Sequence, residues 1–208
     1  MGSRMHLSSA VSSLVAACCM GIAGCGGGDA QTPTFSVTSP DLASGTFATQ
    51  FILNGFGCAG GNVSPAVVWS NPPAGTQSFS LQMFDPDAPT GSGFWHWAVY
   101  NIPATTTNLG RGAGNSPNTL PPPAFGGNTD LLDTGTTGGN GNYGGPCPPV
   151  GDKPHRYIIT IYALNIPDVQ AAAGLPRTGT AGLYSFALNK AIGSALIAKT
   201  SFTATYGR

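Results

Sequence analysis

The sequence predicts a mainly β domain in which two antiparallel sheets pack against each other, with helix confined to the C-terminal third. Short apolar runs recur along the chain and are separated by Gly, Pro, Asn and Ser, which favour turns. Residues 78–84 alternate, with Phe79, Leu81 and Met83 on one side and polar residues on the other, so this run predicts a strand with one buried face. Several such strands with turn residues between them are typical of an antiparallel sandwich.

The predicted strands follow the apolar runs along the chain. They are 35–38, 50–53, 66–69, 78–84, 96–102, 156–164 and 201–206. The run 156–164 is apolar on both sides, which is typical of a strand covered on both faces. Two helices are predicted, a short one over 168–173 and a longer one over 180–199 that has Thr180 as its N-cap. Gly193 is a candidate break or kink in the longer helix.

The N-terminal residues 1–25 are predicted to be a signal peptide rather than part of the domain. Arg4 precedes an apolar run over 7–22, which is shorter than the ~20 residues of a membrane-spanning helix. Small residues before Cys25 are typical of a bacterial lipoprotein signal, in which Cys25 becomes the lipid-modified first residue. Residues 26–33 then form a flexible tether, and 34–208 form a single domain.

This N-terminus predicts a protein of the bacterial cell envelope that is held at the membrane, in the periplasm or on the outer surface, by a lipid anchor. Ordinary signal cleavage and secretion is the alternative. After Cys25, the remaining cysteines are Cys58 and Cys147. An oxidising compartment favours their pairing slightly, but the sequence leaves open whether they pair or stay as separate buried thiols.

Charge is scarce and balanced, with 8 Lys+Arg against 8 Asp+Glu. No basic patch is present, so nucleic-acid binding is not expected. No motif predicts a metal site or a cofactor.

The segment 104–142 is rich in Thr, Gly, Asn and Pro and is long for a loop in a compact domain. It is either a mobile flap near a site or an insertion without a role, and the second is favoured because its composition gives it little to bury.

Two polar clusters stand where strands are predicted to end or begin. In the first, Asp85 and Asp87 follow strand 78–84, and His96 opens the next strand. Prolines between the aspartates and after them stop the first strand. Because consecutive strands joined by a tight loop pair with each other, His96 is expected close to Asp85 or Asp87.

In the second cluster, the proline-rich stretch GGPCPP precedes His155, Arg156 and Tyr157 at the start of another strand. His155 and Tyr157 share one face of that strand, and Arg156 points the other way. A lone histidine on an apolar strand is more often a core residue than a ligand. Two histidines that each follow a proline-rich loop favour a shared site.

Together the two clusters carry a family resemblance. The chain resembles the phosphatidylethanolamine-binding protein family, in its bacterial Raf-kinase-inhibitor-like branch of YbhB/YbcL type, through SPAVVWSNPPAGTQSFSLQMFDPDAPTGSGFWHWAVYNIP and YGGPCPPVGDKPHRYIITIYALN. The resemblance extends from about Phe35 to the C-terminus. It implies a Greek-key β-sandwich of two antiparallel sheets with a small anion pocket at one end.

The resemblance also implies which residues form the pocket. The implied ligand-binding residues are Asp85, Pro89, His96, Pro149, His155 and Tyr157, while Asp87 and Arg156 are implied to be a structural pair beneath the site. Asp85 would either accept a hydrogen bond from His96 or receive the ammonium of an ethanolamine head group. The rings of Phe94, Trp95 and Trp97 would line the mouth or belong to the core. A bridge between Cys58 and Cys147 would stiffen the pocket rim.

The leading interpretation is a protein without catalytic activity that binds phosphorylated head groups, such as that of phosphatidylethanolamine, or similar small anions. Donation from a protonated histidine would make the affinity rise as the pH falls through the usual histidine pKa of about 6.5. One alternative is an interaction module that inhibits a protease or a kinase. A hydrolase in which Asp85 orients His96 as a base is less favoured, because the chain has no G-x-S-x-G elbow, P-loop or H-E-x-x-H.

Overall fold

The fold was analysed in a computed structural model that describes residues 33–131 and 142–208. The strands in chain order are β1 (Ser36–Thr38), β2 (Asn54–Gly55), β3 (Cys58–Ala59), β4 (Val67–Ser70), β5 (Ser78–Asp85), β6 (Phe94–Pro103), β7 (Asn108–Leu109), β8 (Phe125–Gly126), β9 (His155–Leu164) and β10 (Leu196–Tyr206). Helices α1 (Val169–Ala173) and α2 (Ala181–Phe186) lie between β9 and β10. The predicted signal peptide and all but the last residue of the predicted tether lie outside the described residues. Within the described ranges, no helix is long and apolar enough to cross a membrane.

Two antiparallel sheets share one core. The larger sheet has the strand order β10-β9-β5-β6-β8, and the smaller has the order β1-β4-β7. Trp69 of β4 meets Phe79 of β5 edge to face, with ring centroids 5.3 Å apart, so the apolar faces of both sheets contribute to the same cluster. The predicted class, a mainly β sandwich of antiparallel sheets with short C-terminal helices, is confirmed.

Strand β5 differs from its prediction because both of its faces are buried. Ser80 and Gln82, which were expected to face solvent, are as inaccessible as the apolar residues between them. The Gln82 amide donates to the Tyr100 hydroxyl and to the carbonyl of Ala181, each at 3.1 Å. The outer face of the larger sheet is thus covered by α2, and the N–H groups of the Gln82 amide find partners under that helix.

Residues 50–53 do not form the predicted strand. The chain makes a 3-10 turn over Thr49–Phe51, and the side chains of Phe51, Ile52 and Leu53 are buried one after another. Consecutive rather than alternating burial shows that this segment packs beneath another part of the chain instead of pairing within a sheet. The strand prediction was wrong because a short apolar run does not by itself distinguish these two situations.

The longer predicted helix ends early. Thr180 caps α2 by accepting a hydrogen bond from Leu183 N, as its position predicts. The chain then makes a π-helical turn over Ala187–Ala191 and leaves the helix at Gly193, whose φ of +56° is left-handed. Strand β10 begins at Leu196, inside the range predicted as helix. The shorter helix agrees with its prediction, with Asp168 accepting from Gln170 N and Gly174 as its C-cap.

The segment 104–131 buries far more than its composition suggests. Strand β7 pairs with β4, and β8 pairs with β6, so the segment adds a strand to each sheet. Leu109, Leu120, Phe125 and Leu131 are its buried anchors. The expectation of an insertion with little to bury was therefore wrong for these residues, because a few widely spaced apolar side chains are enough to hold a polar loop. The rest of the predicted loop, 132–141, lies outside the described residues.

A segment over 142–149 packs against the turn at 49–53 and builds one wall of the site described below. The Tyr143 hydroxyl donates to Phe51 O at 2.7 Å, and Leu53 N donates to Pro146 O at 3.1 Å. A disulfide joins Cys147 to Cys58 of β3. Gly145 lies so close to the backbone of residues 51–53 that a Cβ atom would overlap the Phe51 carbonyl oxygen.

We expect Gly145→Ala to destabilise the domain, because an added methyl group must displace backbone rather than a flexible side chain. Overpacking of this kind costs about 1–3 kcal/mol. Gly110→Ala is the matched control, since a Cβ there meets no atom within 4 Å and the residue is exposed. Denaturant unfolding should give a lower midpoint for Gly145→Ala and an unchanged or slightly higher midpoint for Gly110→Ala. Equal midpoints for the two variants would contradict the close packing.

Candidate functional site

A cavity of about 130 Å³ lies at the end of the larger sheet where β5 ends and β6 and β9 begin. All the residues predicted to bind a ligand line it: Asp85, Pro89, His96, Pro149, His155 and Tyr157. The other lining residues are mostly apolar or small: Leu53, Phe56, Ala88, Thr90, Phe94, Leu131, Gly145, Cys147 and Pro148. Pockets for drug-sized ligands are roughly 300–1,000 Å³, so this cavity fits only a small group.

The strand pairing explains why distant motifs meet here. Strand β5 lies between β6 and β9 in the larger sheet. Asp85, the last residue of β5, is paired with Phe94, the first residue of β6. His155 is the first residue of β9, which runs antiparallel to β5 on its other side. Both histidine-bearing strands therefore start beside the carboxylate that ends β5.

Asp85 bonds to His155 and not to His96. The Asp85 carboxylate lies 2.8 Å from His155 Nδ1 and is 2% exposed. Its other oxygen accepts from Asp87 N at 2.8 Å. The expectation that His96 donates a hydrogen bond to Asp85 was wrong. Strand β5 lies between β6 and β9, and it is His155 of β9 that bonds to the carboxylate.

His96 is instead fixed by the wall segment. Its Nδ1 lies 2.9 Å from Gly144 O, and Gly144 N donates to His96 O at 2.9 Å. A carbonyl oxygen can only accept, so Nδ1 carries a proton and Nε2 of the neutral ring is an acceptor. Burial lowers the pKa of His96 to about 4, against smaller opposing effects of the Gly144 carbonyl and Asp85. His96 is therefore neutral near pH 6.5, where the sequence had suggested that it would titrate.

His155 is held at both ring nitrogens. Besides the contact with Asp85, its Nε2 lies 3.4 Å from a carboxylate oxygen of Asp152, which is 42% exposed. Sequence analysis did not identify Asp152, although its position three residues before His155 is a signal that could have found it. His155 thus has carboxylate partners on both edges and is oriented firmly in the cavity wall.

Tyr157 is completely buried, and its ring packs edge-on against His96 with centroids 5.2 Å apart. Its hydroxyl makes no hydrogen bond of ordinary length and angle to a described residue, but the Asp85 carboxylate interacts with it. Burial, and secondarily the nearby Asp85 carboxylate, raises the pKa of Tyr157, so the hydroxyl keeps its proton. A buried hydroxyl without a well-formed hydrogen bond is costly, which makes it a candidate donor to a ligand.

Asp87 and Arg156 form a separate pair that does not line the cavity. The guanidinium donates to both carboxylate oxygens at 2.9 Å, and Arg156 N adds a bond to Asp87 at 3.0 Å. These hydrogen bonds lower the pKa of Asp87. The pair joins the loop after β5 to the first residues of β9 outside the cavity. This contact holds the two polar clusters next to each other.

Of the aromatic residues considered for the mouth, only Phe94 lines the cavity. Trp97 is fully buried and packs on Tyr143, and Trp95 packs on Phe84 with centroids 4.3 Å apart. Phe56, which is 52% exposed, and Leu131 take the places at the cavity that had been considered for the tryptophans. The sequence did not indicate Phe56 as a site residue, because a single aromatic residue in a glycine-rich turn is not part of any periodic pattern.

The arrangement can hold one small polar group against Asp85, His96 and Tyr157, with apolar side chains around it. No group of three His, Cys or Asp residues that could hold a metal ion occurs in 33–131 or 142–208.

A family model described as phosphatidylethanolamine-binding protein matches residues 38–207. The chain belongs to the phosphatidylethanolamine-binding protein family.

Several known proteins are similar to this chain over much of their length. YbcL of Escherichia coli strain K12 is 48% identical over 137 residues, which are 65% of this chain and 71% of YbcL. YbhB of the same strain is 42% identical over 137 residues, 65% of this chain and 82% of YbhB. LppC of Mycobacterium tuberculosis, which is named as a lipoprotein, is 33% identical over 201 residues, 85% of this chain and 92% of LppC.

The crystal structure of Escherichia coli YbcL, described as a new member of the mammalian family, superposes with a TM-score of 0.71 and 39% identity. The match covers 84% of this chain and 98% of that chain. The resemblance expected from the two motifs is thereby confirmed for the sequence and for the fold.

The buried neutral His96 makes a specific prediction for acid stability. The pKa of His96 in the folded chain, about 4, is below the ordinary value of 6.5. As the pH falls, the unfolded chain binds the proton first, so stability is lost between pH 6.5 and 4. The shift corresponds to at most about 3 kcal/mol from this residue.

In His96→Asn, an amide can still donate to Gly144 O, but no group titrates at this position. Guanidinium unfolding at pH 7 and at pH 4 should therefore show a larger loss of stability for the wild type than for the variant. Parallel losses in the two proteins would contradict a neutral, buried His96.

Proposed function

We propose that the domain binds the phosphorylated head group of a phospholipid, or a similar small phosphate ester, without catalysing a reaction. The observation that carries this proposal is the buried group of Asp85, His96, His155 and Tyr157 around one cavity of about 130 Å³. Membership of the phosphatidylethanolamine-binding protein family supports it. The volume suits a head group, while the rest of a lipid stays outside.

The apolar part of the lining supports a ligand with a hydrophobic portion next to its polar end. Phe94 and Leu131 lie in the lining, and Phe56 is both part of the lining and half exposed. A side chain that reaches from the cavity to the surface can contact the glycerol or acyl region of a lipid whose phosphate lies deeper. This arrangement favours a lipid head group over a free, strongly hydrated ion.

Binding without turnover is supported by the state of the side chains that could act as nucleophiles. The Thr90 hydroxyl donates its proton to Gly93 O. Cys147 is held in the disulfide with Cys58. His96 lacks the carboxylate partner that would strengthen it as a base, because Asp85 bonds to His155.

Calorimetric titration with phosphoethanolamine would test head-group binding. Tyr157→Phe removes only the buried hydroxyl, which makes no hydrogen bond of ordinary geometry, and should weaken binding about five- to ten-fold, the worth of roughly one hydrogen bond. Tyr184→Phe is the matched control, because its hydroxyl donates to Pro176 O in the helical layer away from the cavity. Absence of binding by the wild type, or equal affinity in the two variants, would contradict the proposal.

We further propose that the protein is anchored in the bacterial envelope through a lipid on Cys25. Two observations support this: small residues precede Cys25 after an apolar run, and LppC, a relative over 85% of this chain, is named as a lipoprotein. A head-group-binding domain on such an anchor faces the bilayer at a high effective concentration of lipid.

Metabolic labelling with a clickable fatty acid in a bacterial host tests the anchor. The wild type should be labelled and should fractionate with membranes, and Cys25→Ser should be unlabelled. Cys19→Ser is the control, because it changes a neighbouring cysteine within the predicted signal peptide. A wild-type protein that is unlabelled and recovered from the medium would instead support the secreted form.

A further inference from the structure

Phe56 occupies a turn position that does not favour an aromatic side chain. Gly55 pairs with Cys58, so β2 and β3 are joined by a turn of two residues, Phe56 and Gly57. Phe56 has a φ of +51°, and turns of this kind favour Asn, Asp or Gly there. The other non-glycine residues with a positive φ in the described parts of the chain are all asparagines. A half-exposed aromatic ring held in this conformation indicates a role other than forming the turn.

A second apolar side chain stands at the tip of a neighbouring turn. Val150 is 77% exposed. Asp152 N donates to Pro149 O at 3.4 Å, so Val150 lies at the corner of a turn, where polar residues are the rule. Pro149 lines the cavity, as Phe56 does. Both exposed apolar side chains therefore belong to loops at the edge of the cavity.

Arg208 and a disulfide hold these two loops together. The guanidinium of Arg208 donates to Phe56 O at 3.0 Å and to Pro148 O at 2.7 Å. The bridge between Cys58 and Cys147 joins the same loops. We call the two loops, 55–58 and 147–153, together with Arg208 the rim surface. Single exposed apolar residues are common on proteins, but two on joined loops beside one cavity form a candidate contact surface.

Cationic side chains outnumber acidic ones around the rim surface. Lys153 is 80% exposed, and its ammonium lies 3.9 Å from Asp87, which also pairs with Arg156. Arg208 bonds to backbone carbonyls, which carry no net charge. Asp87 and Asp152 are the acidic side chains that face these three cations. Apolar tips surrounded by cations complement a bilayer, in which phosphates lie above an apolar interior.

The position of Cys25 also favours a bilayer as the occupant of this surface. Eight residues separate Cys25 from Pro33, where the described domain begins. A chain of this length spans at most about 29 Å even when it is fully extended. A lipid on Cys25, as proposed above, therefore keeps the domain beside the membrane and raises the effective concentration of the bilayer for a weakly binding surface.

Resting on the proposed function, we infer that the rim surface docks on the lipid bilayer. Phe56 and Val150 enter the boundary between head groups and acyl chains, and the surrounding cations lie among the lipid phosphates. This position brings the mouth of the cavity to the level of the head groups. A lipid can then place its phosphate in the cavity while its acyl chains stay in the bilayer.

Tryptophan reporters in the full-length protein, reconstituted in vesicles, would test the docking. Phe56→Trp keeps an aromatic ring at the rim surface. Phe186→Trp is the matched control, because Phe186 is 60% exposed on α2 and does not line the cavity. The vesicles contain phosphatidylethanolamine, phosphatidylglycerol and brominated phosphatidylcholine, and the wild type gives the signal of the native tryptophans.

We expect bromine to quench at least about half of the fluorescence added by Phe56→Trp, since apolar side chains at a membrane surface lie about 5–10 Å deep. Little of the fluorescence added by Phe186→Trp should be quenched. Both variants carry the same N-terminus, so the difference between them reports docking and not tethering.

Val150→Asp, combined with Phe56→Trp, gives an independent measurement. Val150 does not line the cavity, and its turn position tolerates a polar residue. A carboxylate at this tip should reduce the quenching at least about two-fold, because burying an unpaired charge is costly. Its affinity for phosphoethanolamine in solution should stay unchanged. Leu183→Asp in the same background is the control for an added charge at an exposed apolar position, and it should leave the quenching unchanged.

Equal quenching of Phe56→Trp and Phe186→Trp, or quenching that Val150→Asp does not reduce, would overturn the docking. Stronger quenching of Phe186→Trp would assign the membrane contact to α2 instead. If Phe56→Trp is unquenched by bromine but becomes shielded from aqueous iodide as the protein concentration rises, the rim surface binds a second copy of the chain.

Calorimetry with phosphoethanolamine separates this inference from the proposed function. Head-group binding without quenching of Phe56→Trp would refute the docking alone. Quenching of Phe56→Trp without head-group binding would support the docking and refute the proposed function.

Discussion

The hydrogen bond between Asp85 and His155 is the interaction on which the site depends. A buried carboxylate is costly unless it is paired and hydrogen-bonded. Asp85 meets this requirement with His155 on one oxygen and Asp87 N on the other. These bonds join the end of β5 to the start of β9. The register of the sheet therefore also sets the positions of the side chains in the cavity wall. Since Asp85 bonds to His155, His96 stays neutral and bonds to a different partner.

That partner is the wall segment 142–149, which stabilises the core and shapes the site through the same contacts. Tyr143 inserts into the core and donates to Phe51 O, while the next residue, Gly144, exchanges two hydrogen bonds with His96. The absence of a side chain at Gly145 lets the wall approach residues 51–53 closely. The disulfide between Cys58 and Cys147 then joins the wall to β3, which adds a covalent constraint at the cavity rim.

The sequence predicted the members of the site much better than the bonds between them. The two proline-rich motifs identified the aspartate, histidines and tyrosine that line the cavity, but not Thr90, which also lines it, or Asp152, which bonds to His155. They did not identify the partner of Asp85, because its neighbour along the chain is β6 while its neighbour through a long-range pairing is β9. Strand β10 was also mispredicted at its start, where helical spacing continues past Gly193 and only the left-handed backbone there ends the helix. Pairing across the sheet and backbone handedness both depend on tertiary contacts that periodicity does not contain.

The arginines near the cavity bond to other protein groups and do not line it. Arg156 is committed to Asp87, and Arg208 donates to the carbonyls of Pro148 and Phe56 at the cavity rim, so both stabilise the loops around the cavity and not the ligand inside it. A cavity without a cation forgoes the long-range attraction that makes anion binding fast and tight. What such a cavity gains is discrimination, because a buried donor or acceptor that a ligand fails to match is left unpaired. If the domain is anchored beside its ligand, as proposed above, a high local concentration compensates for modest affinity.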